Sequence, residues 1–364
     1  MKIMIDATPL LLASAGVKSV LYHWILALRE QQNGAEINVY PPMPDIGSLR
    51  HDRSVAGQWA TARGIFMTVA NQQLGAGFPE KHARGMDVFH CSNQVRRPPR
   101  KVKLTATVHD LTCWRLPEVH TAANVKADHL HAERVLKPAD GLIAVSENSR
   151  RDAIEILGIH PDRITTIHNG VAEAYFEDAT PLAAPRPYVL HTGTIEPRKN
   201  IDRLLDAWYL LPSHLRDSYD LVLAGPAGWA APATVARLRS APPGVRWLGY
   251  VPEDAMPALT RGAALVVYPS LYEGFGLPVA QAMACGVACL TSNNSSLPEV
   301  AGDGARLVDP LSVGEIREAL IALLEDPDKR AALGRAGRAR AEANYHWHTA
   351  AERSLDFFRR VIGS

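Results

Sequence analysis

Glu273 stands in the run Tyr272-Glu273-Gly274-Phe275-Gly276-Leu277-Pro278. The run follows the apolar stretch Leu265-Val266-Val267-Tyr268 and precedes a helical pattern from Val279 to Cys285. A loop that leaves a buried strand and opens a helix lies where open α/β sheets bind ligands. Pro278 suits the first turn of that helix, and Gly286 its end. Helix-opening amides favour an anion, and a carboxylate ahead of them can accept from sugar hydroxyls. The same letters also fit a plain glycine-bearing connection with a solvated Glu.

Three further positions could do chemistry. Pro197-Arg198-Lys199-Asn200 precedes a helix from Ile201 to Leu211. Cations at a helix start oppose its macrodipole, so the pair suggests an anionic ligand as counter-ion, the alternative being a surface turn. His109 ends the strand Leu104 to Val108, on the ligand side of a doubly wound sheet; a hydrogen-bonded loop histidine reads the same way. Gly16 lies in the loop after the first strand, where it would let backbone approach a ligand or simply serve as a loop glycine. His120, His129 and His131 lack metal-ligand spacing with a carboxylate and read as surface residues. Arg96, Arg97, Arg100, Lys101 and Lys103 cluster around two prolines, as a solvated connection or a patch for anionic lipid.

The elements that must position these residues alternate strand and helix. Strands are read at Lys2 to Ala7, Glu36 to Tyr40, Asp87 to Cys91, Leu104 to Val108, Gly141 to Val145 and Ile164 to Ile167. A second series follows at Tyr188 to His191, Leu221 to Ala224, Val245 to Tyr250, Leu265 to Tyr268 and Val287 to Thr291. Helices are read from about Val20 to Glu30, Val55 to Ala70 and Glu147 to Leu157, then Val313 to Glu325, Lys329 to Ala343 and Trp347 to Ile362. The proline-rich stretch 173–187 reads as a linker, giving a first domain at 1–172 and a second domain at 188–345. The last segment, 346–364, has Leu355, Phe358 and Ile362 on one apolar face, with Phe357 and Val361 beside it, and should dock on the first domain.

At 364 residues the chain is long enough for two cores. A net charge of +1 gives no global case for nucleic acid. The four cysteines form neither a zinc pattern nor a disulfide framework, which fits a reducing compartment. The N-terminal run carries Asp6 and no cleavage pattern, and no apolar run is long enough to span a bilayer. The expected location is cytoplasmic, with peripheral association at the inner membrane face left open.

With these pieces assembled, the chain resembles the retaining glycosyltransferases of family 4, whose α/β GT-B fold has two Rossmann-like domains facing a central cleft. The resemblance rests on PSLYEGFGLPVAQAMACG (Pro269 to Gly286), SSLPEVAGDGA (Ser295 to Ala305) and HTGTIEPRKNIDRLLDAW (His191 to Trp208). VSENSRRD (Val145 to Asp152) and IHNGV (Ile167 to Val171) support it. It implies a nucleotide-diphospho-sugar co-substrate, with GDP-mannose the first candidate and a UDP-sugar the second, and no cofactor or metal. Arg198 and Lys199 would contact the diphosphate. The amides of Phe275, Gly276 and Leu277, with Gly274, would hold phosphate and sugar. Glu273 would bind hydroxyls of the transferred sugar. Val251 and Tyr250 would lie by the base, with Thr194 also in the donor set. His109 would sit at the reaction centre and Gly16 near the donor phosphate. The acceptor would be a glycan, a lipid-linked glycan or a small-molecule hydroxyl.

One position departs from the family pattern. The second Glu, eight residues after the first, is Gln281 here. A neutral amide has one acceptor oxygen and no charge, so ribose contacts should be weaker or rearranged. This substitution keeps alive a catalytically weak nucleotide-sugar binder. A hydrolase or phosphorylase on the same fold is the other alternative, but a hydrolase needs two carboxyls flanking the scissile bond. A dinucleotide oxidoreductase is disfavoured, because no GxGxxG with a downstream acid follows the first strand.

Overall fold

The computed structural model describes residues 1–364 except Ser14, Ala15, Gln32, Asn33, Ala179 and Ser364. The chain divides into two compact units. The first comprises Met1–Trp114, Ala122–Gly170 and Trp347–Ser364; the second comprises Arg115–Thr121 and Val171–His346. The sequence boundaries place Arg115–Thr121 in the first domain. In the structure Trp229 Nε1 donates to Val119 O (3.2 Å) and the Trp229 ring stacks on His120, tying that segment to the second unit.

The first unit is built on β1 (Lys2–Asp6), β2 (Glu36–Tyr40), β3 (Val88–Cys91), β4 (Lys103–Val108), β5 (Gly141–Ala144) and β6 (Ile164–Thr166). All are parallel, in the order β2-β1-β3-β4-β5-β6. Alternate side chains enter different cores. Ile3, Ile5 and Ile143 join one apolar cluster, whereas Met4, Leu142 and Ala144 join the other. That is the period of two expected of strands covered on both faces, and it explains their near-continuous apolar sequences.

Two elements complete the first of these cores. Helix α1 (Gly16–Glu30) supplies Leu21, Trp24, Ile25 and Leu28. The C-terminal helix Trp347–Gly363 supplies Leu355, Phe357, Phe358 and Val361, while Ile362 stays at the margin. Trp24 Nε1 donates to Ser354 Oγ at 3.0 Å, closing a buried polar seam between them. A Cβ at Gly141 would lie 2.6 Å from Val361 Cγ2 and 2.9 Å from Phe357 Cζ, so β5 can take the helix this closely only with glycine there.

Two helix starts differ from the sequence expectation. Helix α1 begins at Gly16 and not near Val20, because the buried Lys18 is fastened to the preceding loop. Its Nζ donates to Leu12 O (2.7 Å) and Arg53 O (2.5 Å). Burial lowers that lysine's pKa to about 8. The next helix, α2, spans Gln58–Leu74 and not Val55 to Ala70. Val55 is committed to loop pairing, donating to Leu10 O and accepting from Gly47 N.

The second unit repeats the scheme with β7 (Tyr188–Thr192), β8 (Asp220–Ala224), β9 (Val245–Trp247), β10 (Leu265–Tyr268), β11 (Cys289–Ser292) and β12 (Arg306–Val308). These strands are also parallel, in the order β12-β11-β10-β7-β8-β9. Strand β12 was not anticipated; three residues at a sheet edge, with Arg306 exposed, carry no periodic signal. The strand order reverses between β7 and β10, which makes their carboxyl ends the switch point of this sheet.

Phe358 is fully buried between α1 and the sheet. Phe358→Ala should destabilise the protein by about 3–5 kcal/mol, measured by chemical denaturation.

Candidate active site

The two loops at the switch point carry the strongest sequence signals, and the structure binds them together. After β7 the chain turns through Gly193 and Thr194 into a single 3-10 turn, Pro197–Lys199, then Asn200. After β10 it runs through Pro269 and Ser270 to Glu273. Leu271 N donates to Arg198 O at 2.8 Å, and Ser270 Oγ to the same oxygen at 3.0 Å. Arg198 Nη1 donates to Tyr272 O at 2.8 Å. Asn200, buried with φ 60°, donates through Nδ2 to Pro269 O (3.0 Å) and Pro310 O (2.7 Å).

Glu273 is the centre of this arrangement. Its Oε1 accepts from Lys199 Nζ (2.7 Å), Tyr268 OH (2.9 Å) and Ser270 Oγ (2.6 Å). Its Oε2 pairs with Arg198 Nη1 at 2.6 Å. Arg198 also pairs with Glu196 at 2.8 Å. Burial by itself would raise the Glu273 pKa; Arg198 and then Lys199 overcome it and hold the carboxyl at about 2. Burial, with Arg198 beside it, lowers the pKa of Lys199, which Glu273 opposes. Arg198 and Lys199 therefore have protein counter-ions of their own, so the charges at this turn do not by themselves require a ligand anion. Those counter-ions are Glu196, two residues before Arg198, and Glu273, 74 positions beyond Lys199, a pairing that no local pattern reveals.

The glycine loop beyond Glu273 is held by the strand beside it. Along β11 and its exit, Thr291 Oγ1 donates to Tyr268 O (2.8 Å), Ser292 Oγ to Ser270 O (2.7 Å) and Asn294 Nδ2 to Leu271 O (2.8 Å). Ser295 Oγ accepts from Glu273 N (3.1 Å), and Ser296 Oγ contacts Glu273 O (3.0 Å) and Phe275 O (2.9 Å). These side chains were not singled out as site residues; the motif Ser295 to Ala305 was their only signal. Gly276 has φ 97°, and a Cβ there would sit 2.5 Å from Leu297 Cδ2, so glycine is required twice over. Gly276 then caps the helix Leu277–Ala284, with Pro278 in its first turn. The amides of Gly276 and Leu277 open that helix and have no intrahelical carbonyl to reach. Gly274 and Phe275 are buried in the same loop. Gln281 lies on the helix, half-buried.

The remaining second-unit residues lie along the same carboxyl edge. Thr194 follows Gly193 and is half-buried; a Cβ at Gly228 would meet its Cγ2. Tyr250 and Val251 lie beyond β9, which ends at Trp247 and not at Tyr250. That extension is tied to the β8 exit by Gly225 N to Gly249 O (2.7 Å) and Trp247 Nε1 to Gly225 O (2.8 Å). Tyr250 keeps 38% of its surface exposed. From β10 to β9 is three strand spacings, about 14 Å.

Gly16 and His109 belong to the first unit. Gly16 is the exposed first residue of α1, and a Cβ there would meet nothing within 4 Å. Its neighbours Ser14 and Ala15, part of the expected loop, lie outside the described residues. His109 follows β4, and its carbonyl accepts from Ser149 Oγ at 3.1 Å. Its ring borders a recess of about 40 Å³ with His90, Thr107, His168, Asn169 and Trp347. Burial lowers the pKa of His109, so the ring is neutral at pH 7. His90 is pushed further, to about 3, by burial and then by His109. Its two ring nitrogens meet Thr105 Oγ1 (3.0 Å) and Thr107 Oγ1 (2.9 Å). Of the three histidines read as surface residues, only His129 is exposed. His131 is buried, its pKa lowered to about 4, and His120 is half-buried against Trp229.

Glu273→Gln leaves Lys199 and Arg198 buried without their main counter-charge and should cost about 3–5 kcal/mol. The folded-state pKa of Glu273, about 2, lies below the ordinary 4.5. Its stabilisation is therefore complete above 4.5 and disappears as pH falls towards 2. Thermal unfolding across that range should show an acid-dependent loss in the wild type that the Gln variant lacks.

Comparison with known proteins agrees with this architecture. Residues 16–175 match the family described as Glycosyltransferase Family 4, and residues 176–340 match Glycosyl transferases group 1. The O-antigen chain mannosyltransferase B of Escherichia coli is 34% identical over 283 residues, 75% of this chain and 74% of that protein. Sucrose-phosphate synthase from Thermosynechococcus elongatus superposes with a TM-score of 0.76 at 19% identity, over 100% of this chain and 99% of that one. HepE from Anabaena, in complex with UDP-glucose, gives 0.70 at 19% identity, over 99% and 100% of the two chains. The two parallel sheets thus form a GT-B fold, and the chain belongs to the group 1 glycosyl transferases of glycosyltransferase family 4.

Proposed function

We propose that the protein is a retaining, metal-independent mannosyltransferase that takes GDP-mannose as donor, a UDP-sugar being the second candidate, and transfers to a hydroxyl of a glycan or lipid-linked glycan. The observation that carries the chemistry is the cluster of Arg198, Lys199 and Glu273 at the switch point of the second sheet. The mannosyl donor is supported by the 34% identity with a mannosyltransferase. The UDP-glucose held by a protein of the same fold supports a nucleotide sugar in general.

In this reading the bond from the anomeric carbon to the diphosphate oxygen breaks, and its electron pair leaves with the nucleoside diphosphate. Arg198, Lys199 and the amides opening the helix Leu277–Ala284 stabilise that charge. Three donors meet Glu273 Oε1 and one meets Oε2, so a lone pair on Oε2 is left for a sugar hydroxyl. The acceptor oxygen attacks on the face the diphosphate leaves, and a donor phosphate oxygen takes its proton. His109, neutral at pH 7, serves as a hydrogen-bonding group and not as a cation.

Incubation with GDP-mannose and a lipid-linked or oligosaccharide acceptor should release GDP and leave the new linkage in the donor's anomeric configuration. Free mannose or mannose 1-phosphate would indicate a hydrolase or a phosphorylase. Donor binding with no GDP release over an acceptor panel would indicate a binding protein. A thermal-shift screen of nucleotide sugars identifies the base and sugar, because the donor stabilises the fold by mass action.

Two substitutions test the roles of individual residues. His109→Ala should lower turnover by about 10²-fold or more while donor affinity changes little; equal losses in both would restrict His109 to binding. Gln281→Glu should tighten donor binding by calorimetry, since a carboxylate accepts ribose hydroxyls more strongly than an amide.

A further inference from the structure

Helix α2 has an outer face of the wrong composition for water. Trp59, Phe66, Val69 and Leu74 are 91%, 65%, 51% and 83% exposed, and Ile65 is 38% exposed. Trp59, Ala62, Phe66, Val69 and Gln73 recur at helical spacing on one side, with Arg63 the charged residue among the exposed positions of the helix. The opposite side, with Gly64, Met67, Ala70 and Asn71, is already buried. A helix that is apolar on both sides is normally covered on both, and a contiguous exposed apolar surface marks an interaction site.

A basic groove continues from the end of this helix. It has a volume of about 840 Å³, and Asn71 and Gly75 of α2 and its cap line it together with Arg96, Arg97, Arg100 and Arg134. Gln72 and Asn71 donate to the carbonyls of Gln94 and Arg97, at 2.8 and 3.1 Å, fixing the arginine segment against the helix end. The groove's carboxylates are committed. Glu80 accepts from Arg100 N (2.7 Å), and Asp140 from Leu104 N (2.7 Å) and Lys103 Nζ (3.4 Å). Arg96, Arg97, Arg100, Lys101 and Arg134 are exposed, and among the described residues none of them pairs with a carboxylate.

We propose that α2 and this arginine groove form a docking surface for a bilayer bearing anionic headgroups. The aromatic and aliphatic face would lie in the interface, with α2 flat over its length of about 25 Å. Arg63, Arg96, Arg97, Arg100 and Lys101 would meet the headgroup charge. Apolar insertion and polybasic attraction are each marginal alone and sufficient together. The bilayer is favoured over a protein partner by this pairing of unpaired cations with bulky apolar residues, two of them aromatic. Among the described residues, no helix is long and apolar enough to cross a membrane, so the attachment would be peripheral.

The test is co-sedimentation of the full chain with vesicles of phosphatidylcholine alone and of phosphatidylcholine with phosphatidylglycerol. The wild type should sediment with the anionic vesicles and be released by salt. Trp59→Ser with Phe66→Ser, and separately Arg97→Glu with Arg100→Glu, should each weaken that binding by about tenfold or more. These side chains are exposed, so the variants should melt at the wild-type temperature. Wild-type protein that ignores anionic vesicles, or either double variant sedimenting as the wild type does, overturns the proposal. So does a wild-type dimer in solution that Trp59→Ser with Phe66→Ser converts to monomer without any vesicle binding, which would give the face to a second copy of this chain.

Discussion

The buried charge cluster of Glu273, Lys199 and Arg198 is the constraint around which the second unit is arranged. Taking a carboxylate and an ammonium out of water costs several kcal/mol each, and their attraction offsets this only when remaining polar atoms are also met. Here Tyr268 and Ser270 supply the additional donors on Oε1, and Tyr268 and Lys199 are themselves in contact. The cluster therefore demands close registry between two loops that are distant in sequence. Parallel pairing of β7 with β10 brings their carboxyl ends side by side and meets that demand.

The next requirement is that the loop bearing Glu273 not move. Five consecutive or near-consecutive polar side chains, from Thr291 to Ser296, bond backbone groups of residues 268–275. Each bond contributes modestly by itself, but their regular advance along the loop fixes its path as a strand pairing would. The loop is thereby kept out of regular sheet structure, and the helix after it begins at a defined place. Gly276 completes the arrangement, because its positive φ turns the chain into the helix where Leu297 leaves no room for a Cβ.

How much of this was legible depends on the range of the interaction. Buried parallel strands announce themselves as short apolar runs, so β1 to β11 are read with shifts only at their ends, the largest being the three residues by which the reading overruns β9. Glu273, Arg198 and the glycine loop stand out in the sequence because their types and neighbours are unusual. Their mutual pairing does not, since it depends on strand order. The same limit explains Lys18, whose carbonyl partners are in two separate loops, and His131, whose burial arises from tertiary packing and not from its helical stretch. The apolar outer face of α2 was hidden for a different reason: its inner and outer faces are similarly apolar, so periodicity gives no sense of which side is covered.

On the proposed reading, the same cluster sets the order of events at the donor. Arg198 and Lys199 already balance Glu273 and Glu196, so a diphosphate arriving there brings charge to a site that has none to spare. The cations can serve both only by sharing, and each contact to phosphate weakens one to Glu273. The carboxylate then turns part of its accepting capacity to the nearest donor, which in a nucleotide sugar is a hydroxyl of the sugar itself. Phosphate recognition and sugar recognition are thereby coupled through one carboxylate. A free nucleotide would draw on Arg198 and Lys199 without giving Glu273 a replacement, whereas the intact donor supplies both partners. This asymmetry favours the substrate over its product at the same site.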